Sequence, residues 1–497
     1  MRSGCACAFL VVLAVGSGLL PQAASAKSGS VAITDGELWW GQYLNHTGVV
    51  AIGTARESGG EALPDLIKDY PVSGVSCVLL RCQRPGAPFF TPDGGIVSDE
   101  ALERLRRDVH VAYRFDMLPI VVLFDPDPSC RLEPSDAYAR AATTIAKSLS
   151  NDYWFLPCVT DACGDERWQD VDSVALARTV AAALHEQVKG LLVAAGGNAA
   201  ASTALLENNS PINVIVQRTT DLSPPTKEAG RNPVTVIDVV APESVTPESL
   251  AMAIDAVLGE RRYGFAVDMG LSSAQQAAPL AKKLNALRDL VDAYQKEHFP
   301  GSPPDPADTT SLKPGEKEEG FVSLFNGRDL TGWVQLTSPG DFVVKDGVIR
   351  LVNFDGGWLR SWHEYGDFVF RAEYKIIEGG NSGLYIRAPL VGRQSRIGFE
   401  FQIRGQAADA PLNQDCTGSI YDVRPPDANC MKPNEWNEVE ITCVGETVKI
   451  VWNGQTVHDF KYSDVDLMKH RAVRGYIGLQ DHHNLVEFRN LRIKRLD

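Results

Sequence analysis

Three short stretches hold side chains able to move protons or to donate and accept several hydrogen bonds at once: 381-NSGLYIRA-388, 398-GFEFQIR-404 and 480-QDHHN-484. Side chains alternate along a strand. In 398-GFEFQIR-404 this puts Glu400 and Gln402 on one face, with Phe399, Phe401 and Ile403 on the other. The same alternation sets Tyr385 and Arg387 opposite Leu384 and Ile386, beside an expected Asn381-Ser382-Gly383 turn. If these strands are neighbours, a carboxylate, an amide, a phenol and a guanidinium meet on one polar face. The competing reading is a solvated face crossed by Arg–Glu pairs. In 480-QDHHN-484, Gln480 and His482 share a face, and Asp481 is placed to orient a histidine that titrates near neutral pH. The competing reading there is a polar turn with solvated histidines.

The elements that must position these residues follow from pattern. From residue 321 onward short strands alternate with turns, as in 342-FVVKDGVIRLV-352, 367-DFVFRAEYKI-376 and 447-TVKIVWNGQTV-457. Asp346-Gly347 and Asn453-Gly454 are hairpin turns, and the region reads as an all-β two-sheet sandwich or jelly roll. Upstream, eight apolar runs begin at residues 49, 75, 118, 154, 190, 212, 234 and 263, most pairs separated by helical patterns. Continuous apolar strands between helices indicate a parallel sheet, and eight such units suit a (β/α)₈ barrel over 30–298. A doubly wound open sheet is the rival, weakened by the absence of G-x-G-x-x-G after the first strand. The Pro-rich stretch 299–319 reads as a linker with almost nothing to bury, leaving 320–497 to the sandwich. Carboxylates near the strand ends of the barrel are Asp125, Asp161, Asp165, Glu166, Asp238, Glu243 and Asp268. Of these, Glu166 and Glu243 sit roughly where barrel glycosidases carry an acid/base and a nucleophile, an analogy of fold alone.

A net charge of −15 over 497 residues, spread along the chain, argues against nucleic acid and anionic membrane surfaces as partners. At the N-terminus Arg2, the apolar run 8–20 and 24-ASA-26 form a signal peptide cleaved after Ala26. The expected destination is secreted or periplasmic, with no membrane span after signal removal. Cys5 and Cys7 leave with the signal. An oxidising compartment permits disulfides among the remaining cysteines, with Cys416–Cys430, flanking a Pro-rich loop, the best candidate pair.

The C-terminal region resembles the 3-keto-disaccharide hydrolase family, which has a concanavalin-A-like sandwich. The resemblance rests on stretches in the expected order: 320-GFVSLFNGRDLTGW-333, 365-YGDFVFRAEYKI-376, 381-NSGLYIR-387, 398-GFEFQI-403, 417-TGSIYD-422, 432-KPNEWNEVEI-441 and 475-GYIGLQDHHNLVEFRNLRIK-494. It implies a carbohydrate-active enzyme that cleaves a 3-keto-glycoside or 3-keto-disaccharide, an oligosaccharide or glycoside being the substrate. A C3 carbonyl acidifies the C2 hydrogen, so one base, Glu400 or His482, suffices to start elimination of the C1 oxygen. Arg387, Gln402 and Gln480 are the candidate donors to the enolate, with a divalent metal as an alternative to Arg387. Tyr421 or Asp481 would serve the leaving group, and Asn381 and Tyr385 would line the site. A sugar 3-dehydrogenase elsewhere would have to install the ketone. Trp333, Trp358 and Trp362 are candidate sugar-stacking rings. The rival reading is a non-catalytic carbohydrate-binding sandwich attached to a degenerate or glycosidase-like barrel. The sequence departs from the family where 400-EFQIRG-405 continues with Arg404 in place of the usual acidic residue.

Overall fold

The computed structural model describes residues 31–34, 37–40, 43–44 and 49–52, most of 77–218, the strands over 235–240 and 263–268, and most of 288–497. The expected signal peptide lies outside the described residues. The chain divides into two compact units between Leu290 and Val291. Among the described residues no helix is long and apolar enough to cross a membrane.

The N-terminal unit opens with an antiparallel meander, β1 (Val31–Thr34), β2 (Glu37–Trp40) and β3 (Tyr43–Leu44). Eight parallel strands follow: β4 (Val49–Ile52), β5 (Cys77–Arg81), β6 (Leu118–Val122), β7 (Leu156–Cys158), β8 (Ala194–Ala195), β9 (Val214–Arg218), β10 (Thr235–Val240) and β11 (Tyr263–Asp268). Each falls within one of the eight apolar runs. They pair in the order β4-β11-β10-β9-β8-β7-β6-β5. From β5 to β11 the strands lie side by side in sequence order, and β4 pairs with β11. Between strands run α1 (Asp99–Arg114), α2 (Ala137–Leu149), α3 (Ser173–Gln187) and α4 (Ala199–Leu206). Three of these starts are fixed by side-chain caps, the first by Ser98 Oγ accepting the Ala101 N–H at 3.2 Å. Asp172 accepts from the backbone N–H of Val174 and Ala175, and Asn198 from that of Ala201. Leu79, Ile120, Val122, Leu156, Cys158 and Val216 pack together on one face of the sheet.

The C-terminal unit is a sandwich of β12 (Val322–Ser323), β13 (Trp333–Leu336), β14 (Phe342–Lys345), β15 (Val348–Leu351), β16 (Gly357–Tyr365), β17 (Phe368–Ile376), β18 (Asn381–Ala388), β19 (Phe399–Arg404), β20 (Asn437–Val444), β21 (Thr447–Trp452), β22 (Gln455–Lys461), β23 (Gly475–Asp481) and β24 (Val486–Arg495). One sheet runs β14-β15-β24-β17-β20-β21-β22, with β12 on β24, and the other runs β13-β16-β23-β18-β19. Phe370, Tyr374, Ile441, Trp452 and Phe488 of the first belong to the same dry core as Leu359, Leu384, Ile386, Phe399, Phe401 and Leu479 of the second. The hairpins form as their residues require: Asp346 and Gly347 take φ 54° and 76°, Asn453 and Gly454 49° and 85°.

Two expectations need correction. The Pro-rich stretch 299–319 is not a bare linker, for it belongs to the C-terminal unit and packs on the sandwich. Ser311 Oγ donates to Phe325 O at 2.6 Å. Glu316, only 4% exposed, accepts Arg492 Nε on both oxygens at 2.8 and 2.7 Å and Arg371 Nη1 at 2.8 Å. Composition hides this anchorage because ion pairs, not apolar area, supply much of it. Nor do Cys416 and Cys430 form a disulfide. Cys416 Sγ donates to Asn413 O in its own turn, whereas Cys430 Sγ donates to Gln455 Oε1.

Glu316→Ala would leave the buried Arg492 with the half-exposed Glu438 as its one carboxylate partner among the described residues. Denaturant unfolding should register a loss of about 3 kcal/mol. A loss below about 0.5 kcal/mol would return the stretch to the status of a tether.

Candidate functional site

The outer face of the five-stranded sheet gathers the polar groups. Strands β18 and β19 are antiparallel neighbours, with Tyr385 opposite Glu400 and Gly383 opposite Gln402. Glu400 is 2% exposed, and its carboxyl lies directly over Gly383. A Cβ on Gly383 would come within 2.2 Å of Oε1 and 2.8 Å of Cδ. The Asn381-Ser382-Gly383 segment is therefore strand, not the expected turn. The turn comes earlier, at Gly379 with φ 73°, and Gly383 serves instead as the recess that admits the carboxyl.

Strand β23 supplies Gln480, which hydrogen-bonds Glu400 and donates Nε2 to Tyr385 Oη at 2.7 Å. Trp358 of β16 stands opposite Gln480 and meets the Tyr385 ring edge-on at 5.8 Å. Gly478 makes room for the indole, since a Cβ there would sit 2.3 Å from it. On the far side, residues 418–421 add to the edge of β19. Gln402 N–H donates to Ser419 O, Gly418 N–H to Gln402 O, and Tyr421 N–H to Glu400 O. The same loop brings in Asp415, which accepts Gln402 Nε2 at 3.0 Å and Arg404 Nη2 at 2.6 Å. A carboxylate thus reaches this end of the strand from the loop, although residue 404 is itself an arginine. The Arg393 guanidinium lies 5.8 Å from the Tyr421 ring.

Burial pushes the Glu400 carboxyl up to about 8; Arg393 pulls against it and Asp415 adds to it. A carboxyl held neutral at pH 7 can give a proton, and once ionised it is a stronger base than an ordinary carboxylate. Gln480 Oε1 and Asn381 Oδ1 are buried nearby on the same two strands without hydrogen-bond partners.

The structure separates other expected members from this group. Arg387 takes φ 52°, and the β18–β23 register breaks between Tyr385 and Ala388. That bulge shifts the alternation and turns the guanidinium away from Glu400. Fully buried, it donates to Gly366 O at 2.8 and 3.1 Å and to Gly445 O at 2.7 Å. Its role there is to tie loops, not to face an enolate. His482 lies past the end of β23 on an exposed turn, so it does not share a strand face with Gln480. Asp481, 5% exposed, accepts the His483 N–H at 2.9 Å and fixes that turn. Trp333 is wholly buried, its indole N–H donating to Leu324 O, and Lys296 Nζ covers Trp362 at 4.7 Å. Among the described residues no three His, Cys, Asp or Glu side chains come together as an ion site. Asp415, Arg393 and the recess at Gly383 escaped the sequence reading; a glycine opposite the E-x-Q strand was the available signal.

In the N-terminal unit, Glu166 is exposed on a 3-10 turn and Asp165 pairs with Arg167. Asp125 accepts the Asp127 N–H, and Asp161 pairs with Arg81. Asp238 and Asp268 fall on β10 and β11, and Glu243 lies outside the described residues.

Two substitutions test this placement. Glu400 holds its proton up to about pH 8 when folded and releases it near 4.5 when unfolded. The wild type therefore loses stability as pH rises from 4.5 to 8, by up to about 5 kcal/mol. Glu400→Gln should match the wild type near pH 4.5 and exceed it increasingly toward pH 8 in parallel urea melts. A pH-independent difference would place the carboxyl in water. Arg387→Met should cost about 3 kcal/mol, since the buried Gly366 carbonyl, the Gly445 carbonyl and the Asp367 carboxylate all lose their donor.

Residues 320–494 match the family described as the 3-keto-alpha-glucoside-1,2-lyase-like domain. The chain is 26% identical over 276 residues to a 3-keto-disaccharide hydrolase from Bacteroides thetaiotaomicron, spanning 45% of this chain and 93% of that protein. It is also similar to the crystal structure of a putative glycosyl hydrolase from Parabacteroides distasonis, at 25% identity and TM-score 0.33, over 37% of this chain and 98% of that one. A GH5-4 broad specificity endoglucanase from Clostridum cellulovorans is similar at 11% identity and TM-score 0.37, over 49% of this chain and 93% of that one. At these TM-scores the two structural likenesses add nothing to the assignment. The segment 320–494, which carries Glu400 and its partners, is a domain of the 3-keto-alpha-glucoside-1,2-lyase-like family.

Proposed function

We propose that the sandwich cleaves the glycosidic bond of a 3-keto-glycoside, with Glu400 as the proton-carrying group. Family membership supports a carbohydrate-active enzyme, and the buried carboxyl over Gly383 is the observation that carries the specific reading. In the ionised form Glu400 takes the C2 proton. The C2–H electron pair becomes the enolate of the C3 carbonyl, then forms the C1=C2 bond as the C1–O bond breaks. The leaving oxygen picks up a proton. Water adds at C1 and the C2 proton returns, so the net change is hydrolysis. Gln480 and Tyr385 hold the carboxyl in place, and Arg393 is the cation best positioned to favour the enolate, in the part first given to Arg387. Trp358 forms an apolar wall beside them.

The same reading extends to the rest of the chain. A sugar 3-dehydrogenase acts first, since the ketone must exist before C2–H is acidic. The 1–26 signal exports the protein to the periplasm or medium. The eight parallel strands, wound in sequence with the first paired to the last, form a (β/α)₈ barrel.

Full-length protein mixed with 3-keto-glucosides should release aglycone, and their unoxidised parents should not. Because the base is active only when ionised, kcat/KM should climb roughly tenfold per pH unit and level off near pH 8. Glu400→Gln should lower kcat by about 10²–10⁴-fold with KM little changed. Sugar binding without turnover of any keto form would make the sandwich a binding module. Undiminished turnover in Glu400→Gln would remove Glu400 from the mechanism.

A further inference from the structure

At the carboxyl ends of β5 and β7 the sheet of the N-terminal unit carries polar groups that no part of the sandwich chemistry uses. Leu79 of β5 belongs to the apolar cluster on one sheet face, and alternation puts Arg81 on that face too. Past the strand Cys82 N–H still donates to Val122 O at 2.8 Å, and Gln83 comes next, two residues after Arg81. Arg81 grips Asp161 with both ends of its guanidinium: Nη1 reaches Oδ1 at 2.8 Å and Nη2 pairs with Oδ2. Asp161 is 1% exposed and lies just beyond β7. Gln83 is 2% exposed, and neither its amide nitrogen nor its amide oxygen has a hydrogen-bond partner.

A buried amide with both polar atoms unpaired destabilises the fold, and leucine of nearly the same volume would avoid the cost. Keeping glutamine there makes sense if something else satisfies it. The carboxyl ends of parallel strands are where open and closed α/β sheets bind ligands. An amide offers one donor set and one acceptor, the complement of adjacent hydroxyl groups. Arg81 and Asp161 carry opposite charges and pair with each other, so the pair itself brings no net charge to the strand ends. We propose that Gln83, with the Arg81–Asp161 pair, forms a second binding site, in the N-terminal unit, for a neutral polyhydroxylated ring such as a hexose unit. Nothing in this rests on the chemistry assigned to Glu400.

Titration calorimetry of the full chain with the methyl α-glycosides of glucose, galactose and mannose, and with glucuronate as the anionic counterpart, tests the site. At least one neutral glycoside should bind, and glucuronate more weakly. Gln83→Leu should weaken that binding roughly tenfold or more, the effect of about 1.4 kcal/mol. It should also raise the melting temperature by removing the unpaired amide; Gln83→Met replaces it should the branched side chain prevent folding. Glu400→Gln should leave the same binding unchanged, which separates the two sites. The proposal fails if no neutral glycoside binds, if glucuronate binds more tightly, or if Gln83→Leu binds as well as the wild type.

Discussion

A strand shows only every second residue to a given side, and in the C-terminal sandwich that rule decides which polar groups meet. Phe399, Phe401 and Ile403 are drawn into the dry core between the sheets, which forces Glu400 and Gln402 to the outer face. Leu479 and Leu384 do the same for Gln480 and Tyr385. Four polar side chains are thereby aligned without any of them contributing to the alignment. Where the rule is broken, at the Arg387 bulge, the side chain changes sides and function.

The recess at Gly383 converts that alignment into chemistry. A carboxyl in water would titrate in the ordinary range, but here it is buried beside Gln480, opposite Tyr385 on the neighbouring strand, and lies against bare backbone. Desolvation then raises its proton affinity more than Arg393 and Arg404 can lower it. The arrangement is costly to the fold at neutral and alkaline pH. Stability given up at a reactive group is the usual sign of a site shaped for reaction.

The N-terminal unit poses a similar local conflict in a different setting. The parallel sheet needs apolar residues on its packed face, and Leu79, Ile120 and Val216 meet that need. Gln83 does not. Its unpaired amide and the neighbouring Arg81–Asp161 pair mark the strand ends as the part of this unit whose side chains are not explained by packing.

The sequence by itself determined the element types and much of the sorting. Period-two alternation, Asp-Gly and Asn-Gly turns and eight apolar runs are local features, and local features survive into the fold because backbone geometry enforces them. They placed Glu400, Gln402, Gln480 and Tyr385 on strand faces that the structure brings together. Tertiary structure decided the rest. Arg387 left the site because one residue in a left-handed conformation reversed its side, and no local pattern announces such a bulge. Asp415 and Arg393 joined because separate loops return to the β19 edge. Glu316 turned a Pro-rich stretch into a packed one through Arg492, 176 residues away in sequence. Each of these outcomes depends on contacts between distant segments, and such contacts leave no periodicity to read.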